Sequence, residues 1–424
     1  MNIVHLNKND LSGGAARAAF QLHKGLQLIG HNSCLFVESA TGHETGVSVF
    51  QKPTGVFSVV RRGLRQISMS RSFARYRESR PHGYELFSSD RSPYGATLLG
   101  QIPACDIIHL HWISGFVDYQ AFFTHVPRST PIVWTLHDLN PITGGCHYDL
   151  GCHRYVDQCG NCPQLGSRST DDLSHEVWER KQRTLSRVPP SRLHLVAASR
   201  WVAGEAKRSP IFSRFPVTVI PYAIDTNEFA PRNRANARDL LGISGEARVV
   251  LFIAEDVGNR RKGLSFLLEA LEKCAPTIPH LMLLSMGRNA PDIKTNLPWL
   301  HLGSADNDRF LSMVYSAADV FVTCALQEAF GRTTFEAMAC GTPVIAFAVG
   351  GARDMIRNGI NGFAVKAADV EALAECTCTI LNDGLLRRRM SEKAREIVIQ
   401  EYGVELQARR YVELYSELIR STQS

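Results

Sequence analysis

Two carboxylates, Glu328 and Glu336, stand eight positions apart in the run Glu328-Ala-Phe-Gly-Arg-Thr-Thr-Phe-Glu336. The chain continues as Ala337-Met-Ala-Cys340-Gly341-Thr-Pro343 and then Val344–Phe347. The spacing predicts a glycine turn opening a helix, a helix end at Gly341 and a strand over Val344–Phe347. A helix start offers free N–H groups and the positive end of the helix dipole, which suit an anion. One carboxylate precedes that start and one lies within the helix. The segment could therefore hold a phosphorylated, hydroxyl-rich ligand, with N–H groups on phosphate and carboxylates on sugar hydroxyls. A plainer account exists: Thr333-Thr-Phe-Glu336 matches a capping box, in which Glu336 only satisfies a backbone N–H.

Other residues could add to such chemistry. Asn259-Arg260-Arg261-Lys262-Gly263 follows an apolar run and precedes a helical pattern. Cations at the C-terminal end of a strand would neutralise charge growing on a diphosphate leaving group. A solvated basic turn is the alternative. Ser12-Gly13-Gly14-Ala15 follows the first apolar run, where glycine lets backbone approach a ligand or simply makes a tight turn. Trp134-Thr-Leu-His137-Asp138 ends another run, and Asp106-Ile-Ile-His109-Leu-His111-Trp112 puts His109 and His111 on one strand face. His137, His111 and Trp112 could reach a ligand or pack as a strand end. Cys146, Cys152, Cys159 and Cys162 fall within 17 residues and end in C-x2-C. Four thiolates make a closed zinc shell, with His147 and His153 as substitute ligands; four reduced, buried thiols are the other reading. From Val56 to Arg80, Phe57, Val60, Leu64, Ile67 and Phe73 recur at near-helical spacing among Arg61, Arg62, Arg65, Arg71, Arg75, Arg77 and Arg80. Such a basic amphipathic helix suits an anionic membrane surface or packs with a solvated face.

These residues need a scaffold that alternates strands and helices. Strands are predicted at Ile3–Leu6, Cys34–Val37, Ile107–His111, Ile132–Leu136 and Leu193–Ala197. A second set covers Val249–Ala254, Leu281–Leu284, Val320–Thr323, Val344–Phe347 and Gly362–Val365. Helices such as Ala15–Ile29, Leu264–Cys274 and Arg309–Ala318 fit between them, which implies parallel sheets covered on both faces. At 424 residues the chain exceeds one ordinary core. The polar run after Pro221 marks a boundary, giving domains 1–222 and 245–400, with an amphipathic segment in 401–424. No apolar run is long enough for a membrane span, and the start at Met1 lacks the pattern of a signal peptide, so a cytoplasmic protein is expected. Eleven cysteines then argue for thiols or metal ligands rather than disulfides. A net charge of +6 is modest for this length and does not indicate nucleic acid.

The run from Glu328 to Val344 closely resembles the E-x7-E signature of retaining, nucleotide-sugar-dependent glycosyltransferases of family 4. The block Thr135-Leu-His-Asp-Leu-Asn-Pro-Ile-Thr-Gly-Gly-Cys146-His-Tyr, with the cysteines after it, resembles a subgroup that builds colanic-acid-type and other surface polysaccharides. The resemblance implies a GT-B fold, two Rossmann-like lobes with an interdomain cleft, and a last helix crossing back to the first lobe. It implies sugar transfer with retained anomeric configuration from a nucleotide-sugar donor to a glycan acceptor, commonly lipid-linked, at the inner face of the membrane and with no catalytic metal. By the same resemblance, Glu336 binds the nucleotide ribose. Glu328 and the N–H groups of Phe330, Gly331 and Arg332, beside Thr333, hold the donor sugar. Lys262 with Arg260 or Arg261 holds the diphosphate, Gly13 and Gly14 face donor or acceptor, and His137 contacts the transferred sugar. The chain departs from the family in two places. Asp256 or Val257 stands where a phosphate-gripping arginine is usual, and Tyr222-Ala223 replaces Asn-Gly. A sugar-nucleotide epimerase of similar fold and a non-catalytic cysteine-cluster module remain as alternatives. An NAD-dependent enzyme is disfavoured, because no full dinucleotide fingerprint is present.

Overall fold

The computed structural model describes residues 1–42, 44–293, 295–305 and 307–423. The chain divides into two compact units. Unit 1 comprises Met1–Ala223 and the chain from Val404 onward, and unit 2 comprises Ile224–Gly403. Unit 1 is built on seven strands: β1 (Asn2–Asn9), β2 (Asn32–Ser39), β3 (Val47–Val49), β4 (Ile107–Leu110), β5 (Ile132–Leu136), β6 (Leu193–Ala197) and β7 (Val217–Val219). They form one parallel sheet in the order β3-β2-β1-β4-β5-β6-β7. Unit 2 has β8 (Arg248–Asp256), β9 (Leu281–Arg288), β10 (Trp299–His301), β11 (Val320–Thr323), β12 (Val344–Phe347) and β13 (Gly362–Val365). They too are all parallel, in the order β10-β9-β8-β11-β12-β13.

The sequence explains the central strands. Ile132–Leu136 and Val344–Phe347 are buried at every position, as strands covered on both faces must be. In unit 2, Val250, Leu267, Leu271, Leu283, Val322 and Ile345 belong to one core. In unit 1, Ile3, Leu22, Leu26, Ile107, Tyr411 and Tyr415 do the same, which seats the C-terminal helix Val404–Gln423 on the sheet beside helix Gly14–Leu28. Gly25 permits that approach, because a Cβ there would lie 2.9 Å from a Val404 methyl.

Both sheets reverse their winding direction once, between β1 and β4 and between β8 and β11. Loops leaving the carboxyl ends of such strands diverge and leave a crevice, the usual ligand position in open α/β sheets. The loops there carry Gly13 and Gly14 after β1, His111 and Trp112 after β4, Asn259–Gly263 after β8 and Glu328 after β11.

The amphipathic segment expected over Val56–Arg80 is helical only over Val56–Ala74. Beyond it the chain is pinned to neighbouring loops. The Tyr76 hydroxyl accepts from the Leu173 N–H at 3.1 Å, and the Ser79 hydroxyl donates to the Leu165 carbonyl at 2.8 Å. Arg75, Arg77 and Arg80 therefore lie off the helix.

Candidate active site

Glu328 is the centre of the unit 2 constellation. Lys262 donates to its Oε2 at 2.6 Å and the Arg261 guanidinium to the same oxygen at 3.3 Å. The local fold makes this meeting. The Asn259 side chain accepts the Arg261 N–H at 2.9 Å and starts a single 3₁₀ turn over Arg260–Lys262. Gly263 ends it at φ +74°, where a Cβ would lie 2.1 Å from the Cys324 carbonyl oxygen at the end of β11. Arg261 is buried and also reaches the Gln327 carbonyl at 2.5 Å, whereas Arg260 is exposed. Burial alone would raise the Glu328 carboxyl, but the Lys262 and Arg261 charges outweigh it and hold it at about 2.

Gly331, at φ +91°, precedes helix Arg332–Ala339, and no side chain caps that helix. Glu336 is therefore not a capping-box residue. It is buried, and its carboxylate accepts from the Tyr315 hydroxyl at 3.0 Å and from Arg332 at 3.1 Å. Phe330 is buried against Phe335, while Arg332 and Thr333 are half-buried. The loop after β12 lies directly on this segment. A Cβ on Gly350 would come within 1.5 Å of the Glu328 carbonyl oxygen, and one on Gly351 within 2.3 Å of that of Phe330. That glycine pair was not singled out in the sequence, although adjacent glycines after a strand are the available signal. Asp256, at the position expected for a cation, accepts from the Asn289 amide at 2.8 Å.

In unit 1 the histidines form a buried chain. His5 Nδ1 lies 2.9 Å from His111 Nε2, and His111 Nδ1 lies 3.0 Å from His137 Nε2. His137 Nδ1 lies 2.6 Å from the Tyr222 hydroxyl. His109 bridges Thr135 and Tyr415, each at 2.7 Å. Burial holds His5, His109 and His111 well below the usual histidine range, so these imidazoles are neutral at pH 7. His137 thus has partners at both ring nitrogens, and Tyr222, the departure from the family pattern, is one of them. Trp112 donates to Asp138 at 2.9 Å, and Asp138 in turn lies 2.6 Å from His147 Nδ1. Gly13 begins helix Gly14–Leu28 at φ +89° with open space where a Cβ would sit.

Cys146, Cys152, Cys159 and Cys162 line one small cavity with Thr143, Gly144 and Gly160. His147 is not available to them: its other nitrogen lies 2.9 Å from the Ser88 hydroxyl. His153 is directed to Asp149 at 3.0 Å. Among the described residues, the ligand atoms that gather in a group of three within 4.8 Å belong to His5, His109 and His111 rather than to the cysteines.

Residues 233–397 match the family model for glycosyl transferases group 1. A D-inositol 3-phosphate glycosyltransferase of Geodermatophilus obscurus is 36% identical over 283 residues, covering 62% of this chain and 56% of that protein. The chain thus spans little more than half the length of that relative. Among solved structures, sucrose-phosphate synthase from Thermosynechococcus elongatus superposes with a TM-score of 0.68 at 20% identity, covering 99% of this chain and 100% of that one. The Anabaena protein HepE in complex with UDP and glucose gives 0.64 at 17% identity, over 98% and 100%. These structural likenesses concern the fold: the chain has two Rossmann-like units of the GT-B type, and the stretch matched by the glycosyl transferases group 1 model lies within the second.

Proposed function

We propose that this chain transfers a sugar from a nucleotide-sugar donor to a glycan acceptor, with the anomeric configuration retained. The observation that carries the proposal is the meeting of Lys262, Arg261 and Glu328 at the winding reversal of the unit 2 sheet, inside the matched domain. Lys262 and Arg261 bind the donor diphosphate and stabilise the charge that grows on it as the glycosidic bond breaks. Glu328, ionised at any working pH, orients them and accepts from hydroxyls of the transferred sugar. The N–H groups of Phe330, Gly331 and Arg332, held by the Gly350-Gly351 loop, face the donor. Glu336, steadied by Tyr315 and Arg332, takes the ribose hydroxyls. In unit 1, Gly13, Gly14, His111, Trp112 and His137 stand at the carboxyl ends of β1, β4 and β5 and are assigned to ligand contact. The work is positioning and charge stabilisation, with no catalytic metal.

The acceptor in this reading is a lipid-linked glycan of a surface polysaccharide, reached from an anionic membrane surface. Helix Val56–Ala74 supports that part. None of its residues is buried, and Phe57, Val56 and Leu64 are 92%, 77% and 63% exposed beside Arg61 and Arg71. A helix that only packed on its unit would bury that apolar row. No helix among the described residues is long and apolar enough to cross a membrane.

The test is turnover of purified Lys262→Ala and Glu328→Gln variants with a donor that the wild type uses, with folding followed by circular dichroism. Both variants are expected to lose about 2–4 kcal/mol of transition-state stabilisation, as when one preorganised donor is removed. Turnover near the wild type in both would sink the assignment.

A further inference from the structure

The cysteine cluster has no part in that reading. The path from Cys146 to Cys162 contains no strand or α-helix, only a short 3₁₀ turn over Arg154–Val156. Leu150, His153 and Asn161 hold left-handed backbone at φ +49°, +54° and +46°, which side chains adopt at a cost. Two glycines permit close approach. A Cβ on Gly144 would meet the Ser174 carbonyl oxygen at 2.1 Å and Cys159 Cβ at 2.8 Å, and one on Gly160 would meet the Thr170 carbonyl oxygen at 2.3 Å. Tyr155 is buried, Cys146 and Cys162 pack with Phe87, Leu165, Leu173 and Val177, and all four cysteines line one cavity.

A backbone donor is aimed at one of the sulfurs. The Gly144 N–H donates to Cys159 Sγ at 3.2 Å. A donor there suits a metal-bound sulfur. A buried cation stands beside the cluster. Lys181 is fully buried, and its ammonium donates to two neutral acceptors, the carbonyls of Asn140 and Thr143, at 2.5 and 3.0 Å. Thr143 and its neighbour Gly144 line the cavity, so the ammonium stands close to the cluster, with the carboxylates of Asp90 and Asp138 also in its range. Four thiolates around one divalent ion carry a net charge of −2, which the same buried ammonium faces.

We propose that Cys146, Cys152, Cys159 and Cys162 bind one zinc ion in a closed thiolate shell, with Lys181 as its buried counter-charge. Zinc fits a tetrahedral all-sulfur shell with a C-x2-C half-site. Binding replaces four thiol protons by the metal, and the protons leave to solvent. Closing the shell requires the side chains to turn into the cavity they already line. The other close group, His5, His109 and His111, is a weaker candidate: apart from His5 Nε2, its nitrogens already pair with one another, His137, Thr135 and Tyr415. A shell with no open position holds the loop after β5 in place and does no hydrolytic chemistry.

The full chain, purified without chelator from zinc-supplemented medium, is assayed for metal by elemental analysis. About one zinc per chain is expected, released on titration of the thiols with a mercurial. The Cys159→Ser/Cys162→Ser variant is expected to carry at least ~10-fold less zinc, whereas a Cys105→Ser/Cys376→Ser control keeps it. If the first variant does not fold, the wild-type stoichiometry and the mercurial release still decide. Zinc well below one per chain in a folded wild-type sample, or release that does not follow thiol modification, overturns the proposal. Neither outcome bears on sugar transfer, which rests on unit 2.

Discussion

Glu328 holds two cations on one oxygen, and that geometry separates residues that the sequence left equivalent. Arg260 and Arg261 were interchangeable by spacing. A 3₁₀ turn rotates successive side chains by about a third of a turn, so only its starting point decides which one faces inward. The Asn259 cap sets that start and sends Arg261 inward. Accordingly, Arg261→Ala is expected to cost about 2–3 kcal/mol in kcat/KM, and Arg260→Ala less than about 0.5 kcal/mol; equal losses would erase the distinction. The carboxyl itself gives a pH signature. Its folded pKa, about 2, lies below its ordinary value of 4.5, so its stabilising effect is complete above about 4.5 and fades as pH falls towards 2. In urea titrations the stability gap between wild type and Glu328→Gln is expected to narrow steadily from pH 5 to pH 3. A gap independent of pH would mean that the carboxylate is unpaired in solution. Tyr222 shows the limit of reading residues alone. Its departure from the family pattern has no meaning until the fold brings it to His137, 85 positions away.

Among the elements, the buried central strands and the edge strand Gly362–Val365 were legible, and the other three edges were not. Val249–Ala254 and Val344–Phe347 announce themselves by unbroken apolar runs, and Ile132–Leu136 by one that only Thr135 interrupts. The edge strands Val47–Val49, Val217–Val219 and Trp299–His301 have three residues each and are largely half-buried or exposed, so they carry no periodicity to read. Helix Val56–Ala74 was found by its spacing, but its end at Ala74 is set by tertiary contacts of Tyr76 and Ser79. Its exposed face leads to a prediction. Phe57→Glu with Arg61→Glu is expected to abolish co-sedimentation with anionic vesicles and to leave the circular dichroism spectrum unchanged. Undiminished sedimentation would return the helix to a solvated role. The histidines of β1 and β4 yield another. Their folded pKa values are depressed by burial, so the stability they contribute is present above about pH 6.5 and lost as pH falls below it, where the unfolded chain takes up protons that the folded one does not. Unfolding at pH 5.5 is expected to take up more protons than unfolding at pH 8. Calorimetry in buffers of different ionisation enthalpy measures this, and equal uptake would show that the cluster is charged when folded.

At the scale of the molecule, two parallel sheets with the same winding reversal place the candidate chemistry at strand carboxyl ends. This much follows from the alternation of apolar runs and helical patterns. The strand order, and hence the neighbours of each loop, came only with the structure, because pairing between β1 and β4 joins residues about 100 positions apart. The central claim is that unit 2 binds a nucleotide-sugar through Lys262, Arg261 and Glu328. Its most direct test is thermal unfolding of wild type and Lys262→Ala with UDP-, GDP- and dTDP-sugars in turn. A ligand bound only by the folded state adds about 2.7 kcal/mol at a hundred times its Kd. The account predicts that one nucleotide class raises the wild-type Tm by several degrees and that Lys262→Ala, folded and of similar Tm without ligand, loses most of that rise. No shift with any donor, or an equal shift in the variant, would contradict it.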